Sequence, residues 1–541
     1  MPNHNYYERW VVLRSEIRLE REGTVRGRGS ADYFRGLLLD TAMLGTLARG
    51  ARLGPRLSMF FMPNTKFPTL QLLAVRGPQT SAFSRNFTFP GSAATRLFST
   101  SRSSFSGTPS PGHASKAAQV GVNEFPTPTR GGGGFAKLPR VISSKSVGYW
   151  LLFCGATVFG IVVLGGLTRL TESGLSITEW KPLTGVMPPV TDEDWEREFA
   201  LYRDSPEFQQ LNSNMTVEEY KFIYYMEWAH RLWGRAIGLL VLGPGLYFVL
   251  RGRTAPATNR QLLGISLLLG LQGVIGWWMV HSGLDRENLD ARADTQPRVS
   301  HYRLATHLTA AFLLYFAMTL TGLSILKQNR YLKNPVQGNQ EIAVLSSALA
   351  TWPRRFAFGL LGLGLLTAVS GSFVAGLDAG LLYNSFPMMG RGLTPSTNEL
   401  FDKRYTGESD PSTFSLITRN ALDNPVTVQL IHRVLAVTTW TACLGFFLYA
   451  RKRKALLPRS VFKGAHGVLG FASLQAGLGI ATLIYVVPLP LAALHQSGAM
   501  LFLTSILVLI NRLRVPKGQI RRVIRLMAEK LNPKVVKDHQ A

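Results

Sequence analysis

The chain has 541 residues, a net charge of +27 and only two cysteines, Cys154 and Cys443. Each cysteine lies within an apolar run, which excludes a disulfide framework and a Cys-x-x-Cys redox pair. The positive charge alone would suggest nucleic acid, but the chain lacks zinc-finger spacing, an RNP-like segment and a Walker loop. We therefore predict no nucleic-acid partner.

Residues 1–140 are predicted to be a targeting segment followed by a linker. Between Thr41 and Asn123 the chain has nine Lys or Arg residues, no Asp or Glu, and many serines, which is typical of a mitochondrial presequence. Residues 1–40 carry six acids and do not fit this composition, so we expect the true start to be a later methionine. The glycine-rich stretch 127–140 predicts a flexible linker.

Eight apolar runs of about 20 residues follow, the length that an α-helix needs to cross a bilayer. They lie at roughly 147–168, 228–250, 261–280, 303–326, 356–376, 426–450, 464–486 and 490–510. A buried helix of a soluble protein would be shorter and striped at the helical period. The predicted fold class is therefore an all-α membrane protein with eight transmembrane helices, called spans 1 to 8.

The connections between the spans alternate in charge. Loops 2–3, 4–5 and 6–7 and the C-terminal tail together hold 23 Lys or Arg residues and three acids, whereas the other loops are rich in Asp and Glu. We call these sides the basic face and the acidic face. Basic segments stay on the side from which insertion occurs. We therefore predict a multi-pass protein of the mitochondrial inner membrane with both termini in the matrix.

The eight spans are predicted to be two tandem bundles of four helices, related as a parallel repeat. "WAHRLWGRA" in span 2 corresponds to "LIHRVLAVT" in span 6, which places His230 and His432 202 residues apart. Gln272 and Gln475 are 203 residues apart. The predicted domains after the leader are an N-terminal bundle (146–326), a matrix linker (327–355), a C-terminal bundle (356–512) and a basic matrix tail (513–541).

Each even-numbered span has one histidine near its acidic-face end: His230, His307, His432 and His495. A lone histidine on an apolar helix is often only a packed side chain, but four at equivalent places indicate a function. Zinc would need three or four converging ligands, and each half offers two histidines. Two histidines suit the axial ligation of heme iron between helices, so we predict one heme per half, toward the intermembrane space.

Arginines accompany these histidines. Arg231 and Arg433 directly follow a histidine, and Arg169 lies at the acidic-face end of span 1. A guanidinium group fits a carboxylate with two hydrogen bonds, so all three are candidates to pair with heme propionates. The alternative is that these side chains extend to lipid headgroups.

Glu227 distinguishes the two halves. It lies three residues before His230, on the same helix face, whereas its counterpart Gln429 is uncharged. Proton transfer or stabilisation of a cationic intermediate would need such a carboxylate, and a plain electron carrier would not. The alternative is a structural ion pair between Glu227 and Arg231, four residues apart.

Several of these stretches resemble the mitochondrial heme A synthase family. The resemblance covers about 146–512 and rests on "GGLTRLTESGLSITEWKPLTGVMPP" (165–189), "EWAHRLWGR" (227–235), the "HR" of span 6 and the "LHQ" of span 8. It implies an oxidoreductase that oxidises a ring methyl group of heme O to a formyl group, giving heme A for cytochrome c oxidase. Bacterial relatives carry a cysteine pair in an outer loop that is missing here, so no thiol role is transferred.

The resemblance also implies roles for residues. His230 and His307 would hold the substrate heme O, Glu227 would be catalytic, and His432 and His495 would ligate a heme b cofactor. Membrane lipid and a ferredoxin with its reductase are implied partners. Heme O synthase and assembly factors of cytochrome c oxidase are further candidates, and the oligomeric state is left open. The rival interpretations are a di-heme b-type electron carrier that leaves heme unmodified and, more remotely, a transporter.

Overall fold

The computed structural model describes residues 141–181, 185–285 and 297–532. The predicted presequence and linker over 1–140 lie outside these residues, as does the end of the tail beyond 532. The described residues are mostly helical and contain no strand, with a single isolated bridge between Met389 and Gly392. The predicted all-α class is confirmed.

Within the described residues, eight helices are long and apolar enough to cross a membrane, as predicted. Spans 1 to 8 are Lys145–Leu170, Val217–Leu250, Pro256–Leu284, His301–Lys333, Thr351–Gly376, Pro425–Lys452, Arg459–Ile484 and Leu489–Leu513. The shorter α-helices are Asp192–Arg203, Pro206–Leu211, Pro335–Ser346, Thr397–Leu400, Thr413–Asp423 and Gly518–Leu531. Short 3-10 helices occupy Ala348–Ala350, Ala379–Leu381 and Lys403–Tyr405.

The spans pack in two groups of four. Spans 1 and 3 each contact spans 2 and 4, and spans 5 to 8 repeat the same ring of neighbours. The groups meet where span 4 contacts span 5, span 8 contacts span 1, and spans 4 and 8 contact each other. Spans 1, 4, 5 and 8 therefore form the centre of the molecule. This neighbour pattern is the one expected for two tandem bundles.

Burial follows the same division between central and outer helices. In the most apolar stretch of each helix, 61% of span 4 and 50% of span 8 is buried, against 6% of span 3. Leu263, Leu267 and Leu271 recur every four residues on span 3 and are each more than half exposed. Because lipid tails are as apolar as leucine, such a stripe needs no protein partner.

Span 2 begins well before its predicted start at 228. Thr216 caps the helix in a reciprocal pair with Glu219. The extension buries aromatic side chains against the helix Asp192–Arg203, in a cluster of Trp195, Phe199, Tyr202, Tyr220, Ile223 and Tyr224. Hydropathy misses these turns because acidic residues alternate with the aromatic ones. His230 consequently lies in about the fourth turn of its helix, whereas the other three histidines lie within about two turns of theirs.

The basic face carries two helices, Pro335–Ser346 and Gly518–Leu531, in the ranges predicted as linker and tail. They pack against each other. Nearby, the almost fully buried Lys327 of span 4 donates hydrogen bonds to the carbonyl oxygens of Asn511, Arg512 and Arg514 at the end of span 8. These bonds satisfy carbonyls that a helix terminus leaves unpaired, and they fix the ends of the two central spans together.

Candidate heme-binding sites

The four histidines form two pairs inside the helix groups. His230 and His307 lie within electrostatic range of each other, and so do His432 and His495. Each ring is only half-buried although it sits among packed helices. The two histidines of a pair come from different helices of one group, spans 2 and 4 or spans 6 and 8. Each half therefore presents two imidazoles to one internal space.

A glycine of the preceding odd-numbered span lies against each imidazole. A Cβ atom on Gly165 would lie 2.8 Å from Cε1 of His230, and one on Gly276 would lie 3.0 Å from Cε1 of His307. The second half repeats this arrangement with Gly371 against His432 at 3.0 Å and Gly479 against His495 at 2.7 Å. The contacts at 2.7 and 2.8 Å would force an atom to shift, and those at 3.0 Å would require the ring to give by a few tenths of an ångström, so glycine is the residue that fits against each ring.

In the second half, Nδ1 of each ring, which we call the outer nitrogen, has a polar neighbour. Nδ1 of His432 lies 2.8 Å from the Ser370 hydroxyl, and Nδ1 of His495 lies 3.1 Å from the Gln475 side-chain amide. Partners at Nδ1 orient an imidazole and leave Nε2 to bind a metal.

The first half repeats the glutamine contact but has no counterpart of the serine contact. Nδ1 of His307 lies 3.1 Å from the side-chain amide of Gln272, the counterpart of Gln475. Nδ1 of His230 is buried and has no hydrogen-bond partner among the described residues. In the sequence, the two glutamines and the glycines were recognised only as matching positions of the repeat, and Ser370 and the contacts of the glycines with the rings were not predicted. The available signal was that Gly165 and Gly371, like the glutamines, recur at the repeat offset.

These residues fit heme. Within the described ranges, no group of three or more His, Cys, Asp or Glu side chains is arranged to hold a metal ion. Two histidines from facing helices are a common donor set for heme iron. A glycine lies against Cε1 of each ring, and the ring nitrogens flank that contact.

Glu227 is buried, with 3% of its surface exposed, and is saturated with hydrogen bonds. One oxygen accepts from the Ser176 hydroxyl at 2.7 Å and from the Ile177 backbone N–H at 2.8 Å. The other accepts from Arg231 at 2.6 and 3.0 Å. The ion pair considered from the sequence is therefore present, and four hydrogen bonds fix the position of the carboxylate.

Arg231 also donates to the carbonyl oxygens of Ile177 and Glu179, in the segment that follows span 1. In the second half, Arg433 donates to Gln429 and to three carbonyls after span 5, those of Tyr383, Ser385 and Met388. Each arginine thus fastens the segment that leaves the preceding span. Both have protein partners, and propionate pairing stays a prediction for them.

Arg169 connects the two halves. Its guanidinium group donates to Asp378 at 3.0 Å, and Arg298 donates to the other oxygen of the same carboxylate at 3.2 Å. Asp378 follows span 5 in the left-handed backbone region, with φ of 51°, and its repeat counterpart Glu172 has φ of 52°. The two equivalent turns therefore share an uncommon conformation. Propionate pairing by Arg169 also stays a prediction.

A second buried carboxyl lies on the acidic face of the first half. Glu207 belongs to the helix Pro206–Leu211 and accepts a hydrogen bond from the Tyr202 hydroxyl at 3.1 Å. Burial raises the pKa of Glu207 to about 8, and the nearby charges of Glu172 and Glu227 raise that pKa further. No sequence signal distinguishes this group, because Glu207 stands among many exposed acids in its loop.

Comparison with known proteins places the chain in one family. Residues 148–507 match COX15-CtaA, described as cytochrome oxidase assembly protein. Heme A synthase COX15 of Saccharomyces cerevisiae is 50% identical over 71% of this chain and 79% of its own length. Heme A synthase COX15 of Homo sapiens is 44% identical over 75% of this chain and 90% of its own.

A third relative joins two functions in one chain. The heme A synthase-mitochondrial ferredoxin fusion protein of Schizosaccharomyces pombe is 50% identical to this chain. The match covers 73% of this chain and 64% of the fusion protein. The family match covers most or all of each of the eight spans and includes both histidine pairs. The chain belongs to the COX15-CtaA family of cytochrome oxidase assembly proteins, the heme A synthases.

Proposed function

We propose that this heme A synthase divides its work between its halves. The N-terminal half holds heme O through His230 and His307 and oxidises its ring methyl group to a formyl group, with Glu227 as the catalytic carboxylate. The C-terminal half holds a heme b through His432 and His495. Family membership supports the reaction, and the different residues at the Glu227 position support the division.

The proposed role of Glu227 rests on the contacts of its counterpart, Gln429. Gln429 is 2% exposed, donates to the Ala379 carbonyl at 2.7 Å and accepts from Arg433 at 3.2 Å. A neutral amide therefore fastens the segment after span 5 much as the carboxylate fastens the segment after span 1. The fold does not require the negative charge at Glu227, which leaves chemistry as the reason for it.

A carboxylate suits this oxidation. Withdrawing electrons from the methyl carbon builds positive charge there, and a fixed negative charge in a buried site stabilises it. Ser176, the Ile177 N–H and Arg231 hold Glu227 in place without a further reorganisation when that charge develops. For Glu227 to take a proton from substrate, one of these hydrogen bonds to a carboxylate oxygen must break.

A heme b in the C-terminal half would supply one-electron transfer. His432 and His495 would hold it, and Ser370 and Gln475 would orient their rings. Asp378, just after span 5, ties Arg169 and Arg298 of the first half to the second, so the two sites stay in a fixed relation. The rival function, a di-heme carrier that leaves heme unmodified, has no use for a carboxylate in one half only.

The chain is a multi-pass membrane protein of the mitochondrion. We place both termini in the matrix and the heme sites toward the intermembrane space, from the loop charges. A ferredoxin is the proposed electron source, supported by the fused relative. Heme O synthase and assembly factors of cytochrome c oxidase are proposed as neighbours in the membrane.

The test is the heme composition of purified variants by mass spectrometry. Glu227→Gln should keep both hemes bound but lower heme A formation by about 100-fold or more, the usual scale for losing a catalytic acid or base. Normal heme A in cells that carry this variant would overturn the catalytic assignment.

His432→Ala should remove heme b, and unchanged heme b content would reverse the assignment of the two halves. The matched control is His466→Ala. His466 lies in span 7 and packs against Phe447 and Phe462, away from both histidine pairs. That variant should retain wild-type heme content.

A further inference from the structure

The histidines of the two halves differ in what their outer nitrogens contact. Ser370 donates its only hydroxyl hydrogen to the Thr367 carbonyl at 2.8 Å. Its oxygen, 2.8 Å from Nδ1 of His432, is then free to accept a hydrogen bond. This contact favours the ring proton on Nδ1, which leaves the lone pair of Nε2 for iron.

His495 has a comparable neighbour. The Gln475 amide lies 3.1 Å from Nδ1, and its nitrogen makes no other hydrogen bond among the described residues. The Gln475 side-chain oxygen is buried and has no partner among the described residues. When the amide turns by 180°, this oxygen takes the place of the nitrogen and accepts a hydrogen bond from Nδ1–H of His495. The backbone carbonyl of Gln475 also faces this ring.

In the first half, His230 lacks this support. The position equivalent to Ser370 is Leu164, because Gly165 and Gly371 are equivalent. A leucine has no hydrogen-bonding atom to offer, and Nδ1 of His230 is accordingly without a partner among the described residues. Nothing at this nitrogen favours the form of the ring that binds iron.

His307 is held in the opposite sense. The Gln272 amide nitrogen that lies 3.1 Å from Nδ1 also donates to the backbone carbonyl of His307 at 2.9 Å. This bond keeps the amide donor closer to Nδ1, at 3.1 Å, than to Nε2, at 3.5 Å. The shorter contact favours the ring proton on Nε2, where iron would bind. For His307 to ligate iron, Gln272 must turn and give up its bond to the carbonyl.

We propose that these outer contacts make the C-terminal site retain its heme and the N-terminal site exchange it. Ser370 and Gln475 are positioning residues that hold His432 and His495 ready for iron. Leu164 and the tethered Gln272 weaken ligation in the first half, so that heme O can enter and heme A can leave. This inference rests on the proposed function, because it requires a resident heme in one half and a substrate heme in the other.

The test exchanges the residues that differ. In the purified full-length protein, the rate of heme transfer to apomyoglobin is followed for Ser370→Ala and Leu164→Ser. Loss of an outer partner commonly costs about 10- to 100-fold in metal affinity. Ser370→Ala should speed heme b loss by about that factor and raise its midpoint potential, since the His432 ligand becomes less electron-rich. Leu164→Ser should slow heme A release and leave heme b unaffected.

The matched control is Ser372→Ala. Ser372 is buried on the same helix and donates to the Val369 carbonyl, without contact to His432. It should leave both the transfer rate and the potential unchanged. Wild-type transfer rates and potential in Ser370→Ala, together with unchanged release in Leu164→Ser, would overturn the inference. If His432→Ala retains heme b, the proposed function itself fails, so the two failures are distinguishable.

Discussion

The two halves of this protein use one framework around their histidines and differ in what they add to it. Glu227 and Gln429 occupy the same place, and Arg231 and Arg433 fasten the same segment in each half. The first half adds a negative charge, with Ser176 as an extra donor where the second half has Leu382. Both halves share a clamp beside the histidine, whereas only the first half adds a charge there, which we propose serves the reaction.

The strongest way to break this comparison is to remove the room beside a ring. Gly479→Ala places a Cβ 2.7 Å from His495 and should abolish heme b retention, because the ring must move by more than packed side chains allow. Gly165→Ala should instead stop heme A formation and leave heme b in place. Absorbance of the purified protein and its extracted hemes measure both.

Gly477→Ala and Gly273→Ala are the controls, since an added Cβ at either glycine meets nothing within 4 Å. Gly477 lies on span 7, which also carries Gly479, and Gly273 lies on span 3, which also carries Gly276. Loss of heme in these controls equal to that in Gly479→Ala would show that helix changes in general, and not the contact with the ring, remove the heme.

The arginine clamps should differ in cost. Arg231→Met leaves the buried Glu227 without its ion-pair partner, a change that commonly costs about 3–5 kcal/mol. Arg433→Met leaves a neutral Gln429 and a few carbonyls, and should cost about 1–3 kcal/mol. Thermal unfolding in detergent compares the two variants. Equal losses of stability would mean that the charge at Glu227 adds nothing to the clamp.

The smallest expected effect is a dependence on pH that belongs to the first half. The unfolded chain releases the Glu207 proton near its ordinary pKa of 4.5, whereas the folded chain keeps it up to about 8. The folded state therefore loses stability as pH rises between these values. Glu207→Gln should remove this loss, so its Tm should exceed that of the wild type by a few degrees above about pH 8 and match it below about pH 4.

A second variant checks the cause of that dependence. The Tyr202 hydroxyl lowers the pKa of Glu207 by donating to it. Tyr202→Phe should therefore move the loss of stability to higher pH. An identical pH profile of Tm in the wild type and Glu207→Gln would show that another group controls it.

The sequence by itself determined the eight spans, because the length and composition of an apolar run suffice to predict a transmembrane helix. The four histidines followed from their matching positions in the repeat, and Glu227 followed from the uncharged residue opposite it. The predicted start of span 2 was wrong because a capping pair and an aromatic cluster extend that helix on the N-terminal side of its apolar run.

Only the tertiary structure decided what surrounds each histidine. The glycine against each ring lies on another helix, between 16 and 65 residues away along the chain, and the serine at Nδ1 of His432 lies 62 residues away. Helical periodicity gives the faces of one helix, but not which face meets which neighbour or at what height. That pairing depends on how side chains interdigitate between helices. Contacts between helices therefore distinguish two sites that look alike along the chain.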